Sequence, residues 1–313
     1  MASEQAADVH LLRLDNYREG ELSRAAAQCL DTVMTDPPRE GTVLIKPNFI
    51  SKQNPWLSCT RPEVIRAVCA YFASRGNRVL VGDSPAFGSA RAVAGRLALA
   101  EMLGPYEAEI VELGSRGRPA GRAPRAPAMA ALPEPVDLVI NLAKLKAHKQ
   151  MAISSCCKNL FGFVPGARKA VAHARHGGSR REFASMILRI LSACPPGISM
   201  IDGVQAMHKS GPVDGEPFDL GLLGASSLAI ALDTAVYLAL GLDPEEVPLW
   251  EAARQQGLFG VDPQEIVLTG ERPESFPSAA FQQPATLKPI SFHPARLARS
   301  LCTRALARLG PER

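Results

Sequence analysis

Residues 137–177 read DLVINLAKLKAHKQMAISSCCKNLFGFVPGARKAVAHARHG. The stretch opens on an apolar run, Val136 to Leu142, that fits a buried strand of a parallel sheet. It then alternates: Ala143, Leu145 and Ala147 are apolar, while Lys144, Lys146 and His148 are polar. In an extended chain, period-two geometry sets both lysines and the histidine on one face. That face lies just past a predicted strand end, where open α/β sheets bind their ligands. The chain restarts at Ser154-Ser155, good helix-capping residues. A helix is predicted from Cys156 through Lys158 and Asn159 to Phe161, with Gly162 and Pro165 stopping it. A helix start offers unpaired N–H groups and the positive end of a dipole. Two lysines, a histidine and a helix start predict a site for a phosphate or carboxylate. A solvated strand end beside an ordinary helix fits the same letters.

Working outward, apolar runs alternate with helical patterns. Thr42 to Ile45 reads as a strand ending in Lys46-Pro47-Asn48. Pro62 to Ala73 reads as a helix with Pro62 in its first turn, Thr60 as cap, and an apolar stripe of Val64, Ile65, Val68, Tyr71 and Phe72. Arg78 to Val81 is a strand stopped at Gly82-Asp83-Ser84-Pro85, and Ser89 to Met102 is helical. Ile110-Val111 marks a third strand. Further on come a helix over 181–191, a strand over 198–201 ending at Asp202-Gly203, and a loop over 208–217. A short strand is expected at 220–223, an apolar helix at 227–240 holding one acid (Asp233), a helix at 248–256 and a last strand at 266–268. This order predicts an α/β fold: a mostly parallel sheet with helices on both faces, in Rossmann-like layers. The expected organisation is one α/β domain over 1–285, of two intertwined halves (about 1–135 and 136–285). A basic amphipathic tail follows over 286–313, helical from Pro294 to Leu309.

A parallel sheet gathers its strand ends in space. The predicted binding set is therefore Lys46, Asn48, Asp83, Ser84, Lys144, Lys158, Asn159 and Asp202, with Lys146, His148 and His173 as candidates for charge stabilisation and proton transfer. Lysine usage supports a local need for ammonium groups. The chain of 313 residues has nine lysines against 26 arginines, and five of the nine (Lys144, Lys146, Lys149, Lys158, Lys169) fall between 144 and 169. His173 and His176 are spaced as metal ligands can be, but no third ligand follows from spacing, and no metal is expected.

Composition narrows the classes. A net charge of +4 is too small to predict nucleic-acid binding by field alone. No apolar run reaches the roughly 18 residues of a transmembrane helix, and no secretory signal is read at the start. The tail could rest on a membrane surface, though packing on its own domain is the plainer expectation. The Pro- and Arg-rich stretch 115–135 is expected to be an exposed loop. Seven scattered cysteines, with no Cys-x-x-Cys, predict a reduced, cytoplasmic protein whose thiols pack as small apolar groups. The vicinal pair Cys156-Cys157 leaves a reactive thiol as a second reading. The phosphate-binding loop, dinucleotide fingerprint, nucleophile elbow and zincin motifs are not found.

Several segments resemble a known family, the domain of unknown function 362. They are VLIKPNF (43–49), GDSP (82–85), INLAKLKAH (140–148), SSCCKNLFGFVPG (154–166), AHARHG (172–177), IDGVQAMHKSGPVDGEP (201–217) and Leu232 to Gly260. The resemblance spans roughly residues 42–270. Its members are often associated with iron–sulfur chemistry through ferredoxin-like Cys motifs toward the C-terminus. This chain has no such motif, so the resemblance implies the α/β ligand-binding part without a built-in cluster, and leaves the cofactor open. It carries no general activity, and suggests a redox role with an external electron carrier only by association. The function expected is an enzyme binding an anionic small molecule. The alternative is a non-catalytic binding or scaffold protein that assists iron–sulfur or redox partners through Cys156 and Cys157.

Overall fold

Strand follows helix through the first half of the chain, and the strands meet in one sheet. The structure is a computed structural model that describes residues 6–289, apart from 86–87, 115–120, 122 and 133. Its strands are β1 (Ala7–Arg13), β2 (Thr42–Pro47), β3 (Arg78–Asp83), β4 (Glu109–Glu112), β5 (Leu138–His148), β6 (Ala152–Ser154), β7 (Gly197–His208), β8 (Glu216–Ser226) and β9 (Ile266–Gly270). The order across the sheet is β9-β1-β8-β7-β5-β2-β3-β4, with β6 folded back antiparallel on the end of β5. Pairing is parallel through β7, β5, β2, β3 and β4, and between β1 and β9. Strand β8 runs antiparallel to both β1 and β7.

Neighbouring residues on each strand serve different cores, as the pleat requires. Val43 and Ile45 join one buried cluster with α1 (Glu19–Val33) and α3 (Pro62–Ala73). Leu44 joins the other, with α8 (Arg180–Ala193), α9 (Ala229–Ala239) and α10 (Pro248–Gln255). Helices therefore cover both faces. On α3, the predicted stripe of Val64, Ile65, Val68, Tyr71 and Phe72 is buried. Each large apolar side chain buried this way contributes about 1.5–3 kcal/mol.

Several boundaries differ from the expectation. Thr60 is not the cap of α3, since Arg61 holds that place; the Thr60 hydroxyl accepts from the Asn48 N–H (2.8 Å) and donates to the Leu142 carbonyl (2.8 Å). The helix expected over 89–102 divides into α4 (Ala90–Arg96) and α5 (Leu99–Leu103), with Ala98 between them at φ 50°. The expected loop holds over 209–215, and the strands on either side of it, β7 and β8, run on as long antiparallel neighbours. β1 and α1 lie where no element was read. Within the stretch 115–135, Met129, Ala130 and Ala131 are buried rather than exposed, and the Ala130 N–H reaches the Phe163 carbonyl (2.5 Å). The tail helix expected over 294–309 lies outside the described residues.

Candidate functional site

Strands β2, β3, β5 and β7 all run toward one edge, and their ends bring the expected residues together. Lys46, at the end of β2, pairs with Asp83 at the end of β3 (2.8 Å); both are fully buried. The Lys46 ammonium also donates to the Pro47 carbonyl (3.1 Å) and to Asn159 Oδ1 (3.5 Å). An ammonium has three N–H donors, so Lys46 is saturated. Asp83 is equally occupied: its Oδ2 accepts from the Phe49 N–H and its Oδ1 from the Ser84 N–H, each at 2.8 Å. Ser84 in turn accepts from the Gly166 N–H at its hydroxyl (3.3 Å) and from Lys169 at its carbonyl. A Cβ on Gly162 would fall 2.2 Å from both Lys46 Nζ and Asp83 Oδ1. The turn over 160–163 thus lies directly on this ion pair, which gives KNLFG a steric reason for its glycine.

A second sealed pair holds β5 to β7. Lys144 and Asp202 meet at 2.8 Å, both buried. Tyr17 donates to Asp202 Oδ1 (2.8 Å), and its oxygen accepts from Lys144 (3.2 Å) and the Gln205 N–H (3.0 Å). The Arg61 N–H completes the carboxylate at 3.0 Å, while its guanidinium lies over the rings of Tyr17 and Trp56. Burial and the Asp202 charge hold the Tyr17 phenol well above its ordinary pKa, so it stays protonated.

Between the pairs stands Lys146. It donates to Asn48 Oδ1 and to the Ser58 carbonyl (2.5 Å), with no carboxylate in contact. Asn48 donates to Asn159 Oδ1 (3.1 Å), and Asn159 donates to Asn141 Oδ1 (2.9 Å). Asn141 donates to the Cys156 carbonyl (3.0 Å) and to Ser199 (3.1 Å). This amide chain ties the end of β2 and the body of β5 to α6 (Cys156–Asn159). Burial and nearby cations push Lys146 down to about 8. Lys158 lies on α6 and is partly buried; its side-chain ammonium has no hydrogen-bond or ion-pair partner among the described residues. Burial, Lys146 and Lys169 push it down to about 7.

The two histidines are neutral at pH 7. His148 is buried, and burial together with Lys158 and Lys146 holds it well below the ordinary range. Its Nδ1 accepts from the Gln150 and Met151 N–H groups (3.1 and 3.3 Å), an arrangement that assigns the proton to Nε2. It is built to donate a hydrogen bond, with its acceptor nitrogen already occupied. His173 stacks on Phe183 (centroids 4.7 Å apart) and meets Phe161 edge-on, and burial pushes it down to about 3.

The helix start does not serve as the expected anion site. Asp233 of α9 accepts from the Cys156 N–H (2.7 Å) and the Cys157 N–H (3.0 Å), so a carboxylate of the chain itself fills that position. The Ser155 hydroxyl makes no capping bond, and the α-helix ends at Asn159, with a tighter turn continuing to Phe163. The thiols of Cys156 and Cys157 are fully buried, and burial beside Asp233 pushes both well up. That geometry opposes the reactive-thiol reading. Native-state alkylation with iodoacetamide is expected to leave both unlabelled, and denaturation to expose them. A labelled Cys157 in the folded protein, located by peptide mapping, would restore that reading.

Tyr17, Arg61, Asn141 and Asp233 were not among the sequence candidates. Asn141 carried a signal, as an amide inside an apolar strand. Asp233 carried another, as the one acid of an apolar helix. Tyr17 and Arg61 carried none.

Comparison with known proteins agrees with the motif order along these strands. The family model described as a domain of unknown function (DUF362) matches residues 43–237, more than half of the chain. The chain belongs to the DUF362 family. The matched span holds every residue of the amide chain, both buried ion pairs, Lys158 and Asp233. A thylakoid-associated protein of Synechocystis sp. is 35% identical over 298 residues, covering 93% of this chain and 92% of the relative. Among solved structures, the lactate racemase apoprotein from Thermoanaerobacterium thermosaccharolyticum aligns with a TM-score of 0.45 at 11% identity. That alignment covers 76% of this DUF362 chain and 58% of the racemase chain, so the chain spans little more than half of that protein's length. No helix among the described residues is long and apolar enough to cross a membrane.

Proposed function

We propose that this DUF362 protein is an enzyme that binds a small carboxylate or phosphate at the carboxyl edge of β2 and β5. One observation carries the reading: Lys146, near the end of β5, and Lys158, on α6, have no carboxylate partner among the described residues, while neighbouring Lys46 and Lys144 each have one. Lys46 and Lys144 act as structural cations that fix the strand ends. Lys146 keeps one N–H for the ligand after Asn48 and Ser58 take two. Neutral His148 offers an Nε2–H to an oxygen where negative charge develops, as an electrophilic donor does. Its occupied Nδ1 argues against a general-base role, and the aromatic packing of His173 favours a part in shaping the wall. A cytoplasmic setting fits the buried, unpaired thiols. The relative's thylakoid association makes a membrane surface a setting worth testing too.

The test is thermal stabilisation of the intact protein by phosphate, oxalate and malonate. At least one is expected to raise Tm, and Lys146→Ala to abolish the rise. If no anion stabilises the wild type, the reading fails.

A pH dependence follows with opposite signs for the two states. Lys146 and Lys158 sit below the ordinary lysine range when folded, so the folded chain binds fewer protons than the unfolded one from about pH 7 upward. Their contribution therefore makes the ligand-free protein more stable as pH rises toward the unfolded lysine value of about 10.4. Anion binding needs the ammonium forms, so affinity is expected to fall across about pH 7–8, with proton uptake on binding at the upper end. Calorimetry in buffers of different ionisation enthalpy measures that uptake. An affinity constant from pH 6 to 9 would contradict a role for either lysine.

A further inference from the structure

Away from the lysine edge, a cavity of about 380 Å³ opens over the first residues of β5 and β7, walled by α8, α9 and the turn over 160–163. Small-molecule sites occupy about 300–1,000 Å³, and an apolar cavity of about 150 Å³ already takes benzene. Leu160, Phe163, Leu188 and Ile198 supply apolar wall, and no charged side chain among the described residues lines it. Phe259, also in the lining, is 37% exposed, so apolar surface continues from the cavity to the outside. Two polar side chains meet in the lining as neighbours in register, Asn141 of β5 and Ser199 of β7. Asn141 has both N–H groups engaged, on the Cys156 carbonyl (3.0 Å) and the Ser199 hydroxyl oxygen (3.1 Å), and its Oδ1 accepts from Asn159 (2.9 Å). Ser199 receives a hydrogen bond and gives none: its O–H has no acceptor among the described residues, although the residue is only 5% exposed. A hydroxyl carries one donor, and a buried donor left unpaired costs free energy.

We propose that this cavity binds a neutral, largely apolar molecule through one carbonyl oxygen, which accepts the Ser199 O–H. The wall selects the body of the ligand, because apolar surface buried there leaves water. The open donor selects the head: a ketone, ester or amide oxygen completes Ser199, whereas a saturated hydrocarbon leaves it unpaired. The uncharged lining excludes a carboxylate, which would enter with no cation to offset its lost hydration. The ligand class is thus the opposite of the one expected at Lys146, and nothing in this site depends on Lys146 or Lys158. The two sites are joined all the same. A carbonyl on Ser199 meets the far end of the amide chain that runs through Asn141 and Asn159 to Asn48.

The experiment is fluorescence titration of the full chain with prodan, a neutral naphthalene dye carrying one ketone. Bound prodan is expected to emit to the blue of the free dye, and 2-nonanone to displace it. Nonanoate at pH 8 is expected to displace it at least about tenfold less well, because its charge finds no partner. Leu191→Trp enlarges a lining side chain on α8, and Ala229→Phe does the same from α9. Each is expected to abolish the shifted emission while circular dichroism retains the wild-type fold. Ser199→Ala removes the donor and keeps the wall, and is expected to weaken prodan about fivefold, the effect of one neutral hydrogen bond. Emission that stays at the free-dye wavelength, or a blue shift that survives both filling variants in folded protein, would overturn the cavity as a site. Nonanoate competing as well as 2-nonanone, or unchanged affinity in folded Ser199→Ala, would overturn the neutral carbonyl as its ligand.

Discussion

Asp202→Ala is expected to lower stability against chemical denaturation by about 3–5 kcal/mol, the usual cost of leaving one charge of a buried pair behind. Asp202 and Lys144 are both sealed from solvent, so the abandoned ammonium cannot reach water without local opening. The same substitution strips an acceptor from the Tyr17 hydroxyl and from the Arg61 N–H. The pair itself need not stabilise the fold, because its attraction is set against the cost of desolvating two charges. Lys144→Met combined with Asp202→Leu is therefore expected to be more stable than Asp202→Ala alone. Equal stability of the single and the double variant in urea would show that the buried charge is not the source of the loss.

Asp233→Ala should cost about 3 kcal/mol, from two buried N–H groups left without an acceptor at about 1–3 kcal/mol each, partly relieved by rearrangement. Those donors belong to Cys156 and Cys157. The loss falls on α6, which carries Lys158 and Asn159, so anion stabilisation is expected to weaken along with the fold. Asp233→Asn separates the two effects. It keeps one acceptor oxygen, yet points an N–H₂ group at a second donor, so it is expected to be less destabilising than Ala but not neutral. Urea midpoints of the two variants, each with and without oxalate, check this order. A stable Asp233→Ala that still responds to oxalate would remove Asp233 from any role in positioning the site.

What the sequence made legible is tied to local periodicity and punctuation. The alternation over 143–148 placed Lys144, Lys146 and His148 on a strand, and the polar turns after β2 and β3 placed Lys46, Asn48 and Asp83 at its edge. Pro62 and a clean apolar stripe marked α3. By contrast α1 begins after Arg18, with no side-chain cap and no proline, in a run rich in alanine, so nothing announced its start. Its companion strand β1 follows no turn signal. The partners of the charged groups were beyond reach for another reason. Lys46 meets Asp83 and Asp233 meets Cys156 through tertiary contacts that no spacing encodes. A count of lysines therefore suggested a strongly cationic pocket, where the fold neutralises two of them and leaves the open charge on Lys146 and Lys158.

The bare backbone of Gly162 over Lys46 and Asp83 has a consequence for ionic strength. Mobile counter-ions screen charges they can approach, over a Debye length of about 8 Å at physiological salt. None can slip between that turn and the pair beneath it, whereas rim contacts such as Arg13 with Asp15 stand open to the electrolyte. The scaffold's internal charges are thus insulated from the medium, and dissolved salt competes with a bound anion chiefly at the two lysines left outside the insulation.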